Sequence, residues 1–452
     1  MKAKSLKYVA KAIDGNLHCD QCSEVSIERI SIDSRTMTGG ELFFALSGLR
    51  DGHDYVHLAV KKGAKAVVVS RHIQNSVPEI IVKNTSLALQ KLAATYRKEL
   101  DVKIIAITGS IGKTTTRALV AKCLASRYKV IQSSKNYNNL IGLPLSLLEI
   151  TDKHEIAVLE LGINMPGEML KLAEIIRADY AVITNIASVH LEGLKSLDII
   201  AKEKLELLRH LTNSGKVFLN ADDFRLKRQK IIAPEMIVTF GESDNADYRI
   251  SKILTTKTTF FEVNDVVYTS QVRGRGIAFS AACAIAISEE LGIRLESIKK
   301  CIADFEGVPG RMRIREIDGI TLIEDYYNAS PLSMTHALDV FAGYSLNRRI
   351  AILGDMLELG SESMKYHKEI IEYAAGKTDF LFLFGEQMGN AAKSAKEVGI
   401  PDHMIIQTNN IDTLFDNLKG ILKKGDVVLI KASRSLRLER VIERLGECKC
   451  AV

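Results

Sequence analysis

The chain of 452 residues is 46% hydrophobic and 26% charged, the proportions of a globular protein of about three domains. Its formal net charge of +6 is spread along the chain, which excludes a concentrated nucleic-acid face, although a basic bias suits anionic substrates. No apolar run nears the ~18 residues of a membrane helix, and the lysines near Met1 precede no signal-peptide core, so a cytoplasmic protein without membrane insertion is expected.

Residues 1–84 read as a small α/β unit. Short strands are expected over residues 27–32 and 42–46, separated by the turn Thr38-Gly39-Gly40. A helix over 56–62 and strands over 66–69 and 79–82 follow. Cys19 and Cys22 form a C-x-x-C, and Cys448 and Cys450 close the chain. Neither pair has the regular second half of a zinc site. Cys123, Cys283 and Cys301 sit in apolar, helix-like settings and are expected to be reduced core residues.

A helix over 86–100 leads into an apolar strand over 102–107. Then comes Thr108-Gly109-Ser110-Ile111-Gly112-Lys113-Thr114-Thr115-Thr116. A strand, a glycine turn and a new helix form an anion site, because helix N-termini present free N–H groups and a positive dipole end. Gly109, Ser110, Gly112 and Thr115 are expected to wrap phosphate, Lys113 to neutralise the outer phosphates, and Thr114 to reach Mg²⁺. Ile107 stands where the longer form of this loop carries its first glycine. Leu119 with Cys123, and Val120 with Leu124, repeat at helical spacing beyond it.

From there to about residue 230, strands over 156–161, 180–185 and 217–220 alternate with helices, the pattern of a parallel sheet covered on both faces. Residues 237–240, 248–254, 258–263 and 266–272 read as a β-meander with a turn at Asn264-Asp265. A helix over 277–291 follows. A boundary falls near Pro309-Gly310, after which strands over 321–325, 349–353, 380–384 and 427–430 form a second doubly wound unit. The expected domains are 1–84, 85–310 and 311–452.

Ligands of open α/β sheets gather at the carboxyl ends of strands. Glu160 ends one strand and suits Mg²⁺. His190 follows the next, so Lys113, Glu160 and His190 are expected to converge on one crevice. Asp325 ends the first strand of the last domain and can accept ribose hydroxyls. Arg311 offers a second cation for phosphates, and Arg434 can hold a carboxylate through two hydrogen bonds.

These residues resemble the Mur ligase family, in its dipeptide-adding, MurF-type branch, over almost the whole length. The phosphate loop is similar to the family's ATP loop. Asp33-Ser34-Arg35, Gly40-Glu41-Leu42-Phe43-Phe44 and Asp51-Gly52-His53 resemble its N-terminal UDP-sugar-binding domain. The resemblance implies substrate contacts for Ser34 and Arg35, and for Asn136, Asn138 and Asn139 near the muramoyl group. It places Glu160 and His190 at magnesium positions and Lys204 where the family carries a carbamylated lysine. Asp325-Tyr326-Tyr327-Asn328-Ala329-Ser330-Pro331 is implied to hold the nucleotide through Asp325 and Asn328. Asp355, in Gly354-Asp355-Met356-Leu357-Glu358-Leu359-Gly360, and Ser433 with Arg434 are implied to face the substrate. Gly276, Ile277 and Ser280 stand where the family has a His and two Asn near the adenine, so weaker binding or a relaxed base preference is expected.

The implied fold is three α/β domains: a small UDP-binding domain, a central P-loop parallel-sheet domain and a C-terminal Rossmann-like domain. The implied enzyme is a monomeric ATP- and Mg²⁺-dependent ligase of peptidoglycan precursor synthesis. It would phosphorylate the carboxylate of UDP-N-acetylmuramoyl-tripeptide and transfer the acyl group to D-alanyl-D-alanine. Another Mur branch, or a folylpolyglutamate-synthase-like ligase, fits the segments around Asn328 and Asp355 less well. A nucleotide-binding protein without catalysis would not couple phosphate release to both substrates.

Overall fold

The computed structural model describes residues 1–19, 22, 24–134, 136–212, 215–228, 233–397 and 399–447. The first sheet has five strands in the order Asn16–His18, Glu79–Ile81, Ala66–Val69, Leu42–Phe44 and Ile30–Ser31. The first pair is antiparallel and the rest are parallel. The single strand expected over 27–32 is two. Ser26–Ile27 pairs antiparallel with Lys4–Ser5, and only Ile30–Ser31 joins the sheet. Gly39 and Gly40 turn the chain at φ +96° and +87°, values open mainly to glycine.

The second sheet has nine strands. Lys103–Thr108 lies between Ile156–Glu160 and Tyr180–Ile183, parallel to both. These central strands are apolar runs because helices cover both faces. One expectation fails here. Ile237–Gly241 is not meander but continues the parallel sheet beside Lys216–Asn220. Only Tyr248–Thr255, Thr259–Val263 and Val266–Ser270 run antiparallel, with Asn264 and Asp265 both at positive φ in the last turn.

The third sheet runs Arg313–Ile317, Ile320–Asp325, Val427–Lys431, Arg349–Gly354, Phe380–Phe384 and Ile405–Thr408. The strand ending at Asp325 is therefore not the first of its domain. Arg313–Ile317 precedes it as an antiparallel hairpin partner. All other neighbours are parallel.

One apolar core runs from Met1, through the helix Thr85–Arg97, to Leu226 and so spans the first two domains, each of which has a further core of its own. Tyr96 is fully buried within it, accepting from the Lys2 N–H at 2.9 Å and donating to the Ile150 carbonyl at 2.6 Å. The last sheet has its own cores, one on each face. The connection between these bodies passes through Gly307 and Gly310, at φ +84° and +72°.

Cys19 and Cys22 are joined in a disulfide, while Cys448 and Cys450 lie outside the described residues. Cys123 and Cys283 are buried free thiols and Cys301 is half-buried. Among the described residues no helix is long and apolar enough to cross a membrane.

Candidate active site

The phosphate loop joins the strand Lys103–Thr108 to the helix Lys113–Leu124. Gly109 has φ +144°, and a Cβ there would collide with Thr184 Oγ1. Gly112 precedes the helix at φ +85°. Ser110 Oγ donates to the Ala187 carbonyl at 3.0 Å and accepts from the Ala187 N–H at 2.8 Å. Asn185 brackets Ile111 with its carboxamide, accepting from the Ile111 N–H and donating to its carbonyl, both at 3.0 Å. Lys113 Nζ curls back to the Gly109 and Ser110 carbonyls, at 2.8 and 3.1 Å. Burial pushes its pKa down to about 8 against the pull of Glu160.

Glu160 sits at the sheet's carboxyl edge, only 2% exposed. Its Oε2 accepts from Thr114 Oγ1 at 2.7 Å, and its Oε1 accepts from Asn138 Nδ2 at 3.0 Å. Arg117 stands 3.6 Å away. Burial works to raise its pKa, but Arg311, Lys113, Thr114 and Arg117 overcome that and hold the carboxyl below its ordinary value. Lys204, on the helix Leu197–Leu205, is 1% exposed. Burial, aided by the charge of Lys113, pushes its pKa well below the usual lysine range, and no carboxylate among the described residues opposes it. His190, unlike Lys204, lines the cavity beside the phosphate loop, its Nδ1 bonded to Glu358 of the last domain.

The opposite wall comes from that last domain and encloses a cavity of about 1060 Å³. Arg311 lines it over the Tyr327 ring, 4.3 Å from the centroid, with its Nε buried and without a hydrogen-bond partner among the described residues. Asp325 lines the cavity too, but it is already held. Lys431 Nζ donates to its Oδ2 at 2.5 Å and the Met312 N–H to its Oδ1 at 3.1 Å. Lys431 also donates to the Asn328 carbonyl at 3.0 Å, which fixes the turn that presents Asn328.

Thus the structure gathers Ser110, Lys113, Thr115, Glu160, His190 and Arg311 around one cavity, with Asn136, Asn138 and Asn139 at its edge. Asn139 Oδ1 caps the next helix, accepting from the Ile141 and Gly142 N–H groups at 3.1 and 2.9 Å. Other expected contacts lie elsewhere. Ser34 is buried in the N-terminal domain, and Arg35 is exposed there, paired with Asp33 at 2.7 Å. Asp355 accepts from the Met388 N–H at 2.8 Å, and Ser433 Oγ accepts from the Leu357 N–H at 2.9 Å. Both brace the acidic turn instead of lining the cavity. Arg434 pairs with Glu439 at 3.1 Å. Gly276, Ile277 and Ser280 border the cavity, and the Ser280 hydroxyl is engaged by Thr116 at 3.1 Å. Asn185, Arg117, Glu358 and Lys431 are site residues that the sequence reading passed over. Lys431 alone carried a signal, a lysine at a strand's carboxyl end.

Fold and site together define an ATP-dependent ligase built from three α/β domains. Residues 26–103 match the Mur ligase family catalytic domain, 107–288 the Mur ligase middle domain, and 310–434 the Mur ligase glutamate ligase domain. The chain belongs to the Mur ligase family, in its MurF-type branch. It is 33% identical to the UDP-N-acetylmuramoyl-tripeptide–D-alanyl-D-alanine ligase of Bacillus subtilis and 34% to that of Escherichia coli, covering 99% of each chain. The crystal structure of MurF from Acinetobacter baumannii superposes with a TM-score of 0.89 at 28% identity, covering 99% of this chain and 100% of that one. MurF from Thermotoga maritima, solved with ADP, gives 0.80 at 29% identity, over 93% and 97%. Members of this family use ATP and Mg²⁺.

Proposed function

We propose that this chain joins D-alanyl-D-alanine to UDP-N-acetylmuramoyl-tripeptide in peptidoglycan precursor synthesis, by way of an acyl phosphate. The observation that carries the reading is the meeting of Lys113, Glu160 and Arg311, from two domains, around one cavity beside the phosphate loop. A carboxylate does not acylate an amine at neutral pH, because its oxygen leaves poorly. Attack of the tripeptide carboxylate on the γ-phosphorus makes that oxygen part of a phosphate and releases ADP. The dipeptide amine then adds to the acyl carbon, the tetrahedral intermediate expels phosphate, and the amine proton is lost.

Phosphoryl transfer of this kind depends chiefly on positioning and charge neutralisation. Lys113 would exchange its bonds to the Gly109 and Ser110 carbonyls for phosphate oxygens, and the unbonded Nε of Arg311 would take another. The donor set fits Mg²⁺: Thr114 and Glu160 offer hard oxygens, and a carbamate on Lys204, together with His190, would add further donors. When bound, the ion would spread the charge of the phosphates. Burial, by lowering the Lys204 pKa, enlarges the neutral fraction that carbamate formation needs, since a neutral amine adds to CO₂, loses a proton and becomes an anion. Asp325 and Asn328 would hold the ribose. Ser34 and Arg35 would meet the uridine diphosphate end, and Asn136 and Asn138 the muramoyl end.

The wall formed by Gly276, Ile277 and an already engaged Ser280 offers the base little directional hydrogen bonding. GTP or ITP should therefore support turnover within about tenfold of ATP, one lost hydrogen bond being worth about 1 kcal/mol. Comparing kcat/KM for the three nucleotides checks this. The direct test of the reaction is phosphate release by the purified chain with ATP and Mg²⁺. It should require both a muramoyl tripeptide and D-alanyl-D-alanine, and release that ignores either would sink the reading.

A further inference from the structure

His190 and Glu358 meet across the cleft from different domains. The imidazole Nδ1 is bonded to the Glu358 carboxylate. The backbone ties the same two turns together, the Glu192 N–H donating to the Glu358 carbonyl at 3.0 Å. Tyr366 OH donates to Ser188 Oγ at 3.4 Å alongside. Both partners hold left-handed backbone, His190 at φ +53° and Glu358 at φ +64°. Side chains with a Cβ adopt that region rarely, and such strain concentrates at functional sites. Two strained turns are thus locked to each other around one side-chain pair. His190 lines the cavity, and the half-exposed Glu358 bonds it from outside that lining.

A carboxylate can only accept, so Nδ1 carries the hydrogen and the lone pair of the neutral ring lies on Nε2. Carboxylates that bond the far nitrogen of a metal-binding histidine set its tautomer and orientation. We propose that Glu358 is a positioning residue for His190: the docked C-terminal domain fixes the imidazole with Nε2 free to receive a divalent cation. The proposal rests on the reading of His190 as a cation ligand. It makes completion of the cation site depend on domain docking.

The test uses the full chain with Mn²⁺ as probe, in the presence of ADP. Ring ¹⁵N shifts of His190, assigned by their loss in His190→Ala, report the tautomer, and electron paramagnetic resonance reports Mn²⁺ affinity. The native ring should be Nδ1-protonated. Glu358→Ala should shift it toward the Nε2-protonated form and weaken Mn²⁺ about 10–100-fold. Glu358→Gln, which keeps an accepting carbonyl, should restore the tautomer and part of the affinity. An unchanged tautomer in Glu358→Ala overturns the proposal. So does a changed tautomer with native Mn²⁺ affinity, which would mark a mere brace between domains. Native Mn²⁺ affinity in His190→Ala removes the underlying ligand reading itself, and that variant distinguishes the two failures.

Discussion

Lys113 reaches its pKa of about 8 because burial strips water from its ammonium group. Only the protonated form can neutralise a phosphate, so ADP affinity should hold steady below pH 8 and fall above it. Above that pH, binding should also take up a proton, which calorimetry in buffers of different ionisation enthalpy would detect. The stability sign is opposite. An unfolded lysine titrates near 10.5, so between about pH 8 and 10.5 the unfolded chain binds more protons and this residue's contribution to stability rises with pH. Lys113→Ala should lower turnover by about 10²–10³, as removal of one transition-state donor commonly does. Lys204→Ala should also abolish most phosphate release, with partial rescue by short-chain carboxylic acids, and removing bicarbonate should slow the native chain. Lys113, Glu160 and Arg311 were legible in the sequence because a glycine loop, a strand end and a domain boundary mark them. Glu358 was not, since its role depends on which domain faces His190.

The phosphate-loop turn shows how closely an element can specify its residues. Gly109→Ala would place a methyl group against Thr184 on a backbone few other residues adopt. It should destabilise the chain by about 1–3 kcal/mol and abolish nucleotide binding, both measurable by thermal melting with and without ADP. At this scale the long apolar strands were read from sequence to within a residue or two. The elements that escaped are short or charged. Val130–Gln132 and Ile405–Thr408 are edge strands of three and four residues, too brief for a periodic signal. Arg313–Ile317 carries Arg313, Arg315 and Glu316, which hide its alternation. Ile237–Gly241 was seen as a strand beside Tyr248–Thr255, but it pairs there in parallel and not as a meander, because pairing direction depends on the chain path and not on local composition.

Across the whole molecule, the site is shared between bodies that meet at Arg311 and Glu358. Arg311, from the third domain, lines one cavity with Lys113 and Glu160 of the second, so the two walls already face each other in the described arrangement. The radius of gyration from small-angle scattering should therefore be larger without ligands and contract on adding an ATP analogue with substrate. Such closure would keep water from the acyl phosphate.

The apolar core that Tyr96 helps to close is shared by the first two domains and makes them a cooperative block, whereas the buried cores of the third hold only its own residues. Denaturation should then proceed in two stages, and a cut at the glycine-rich link should liberate two pieces. The larger would keep the phosphate cradle, the smaller would carry Arg311 and Asp325, and turnover would return only on mixing them.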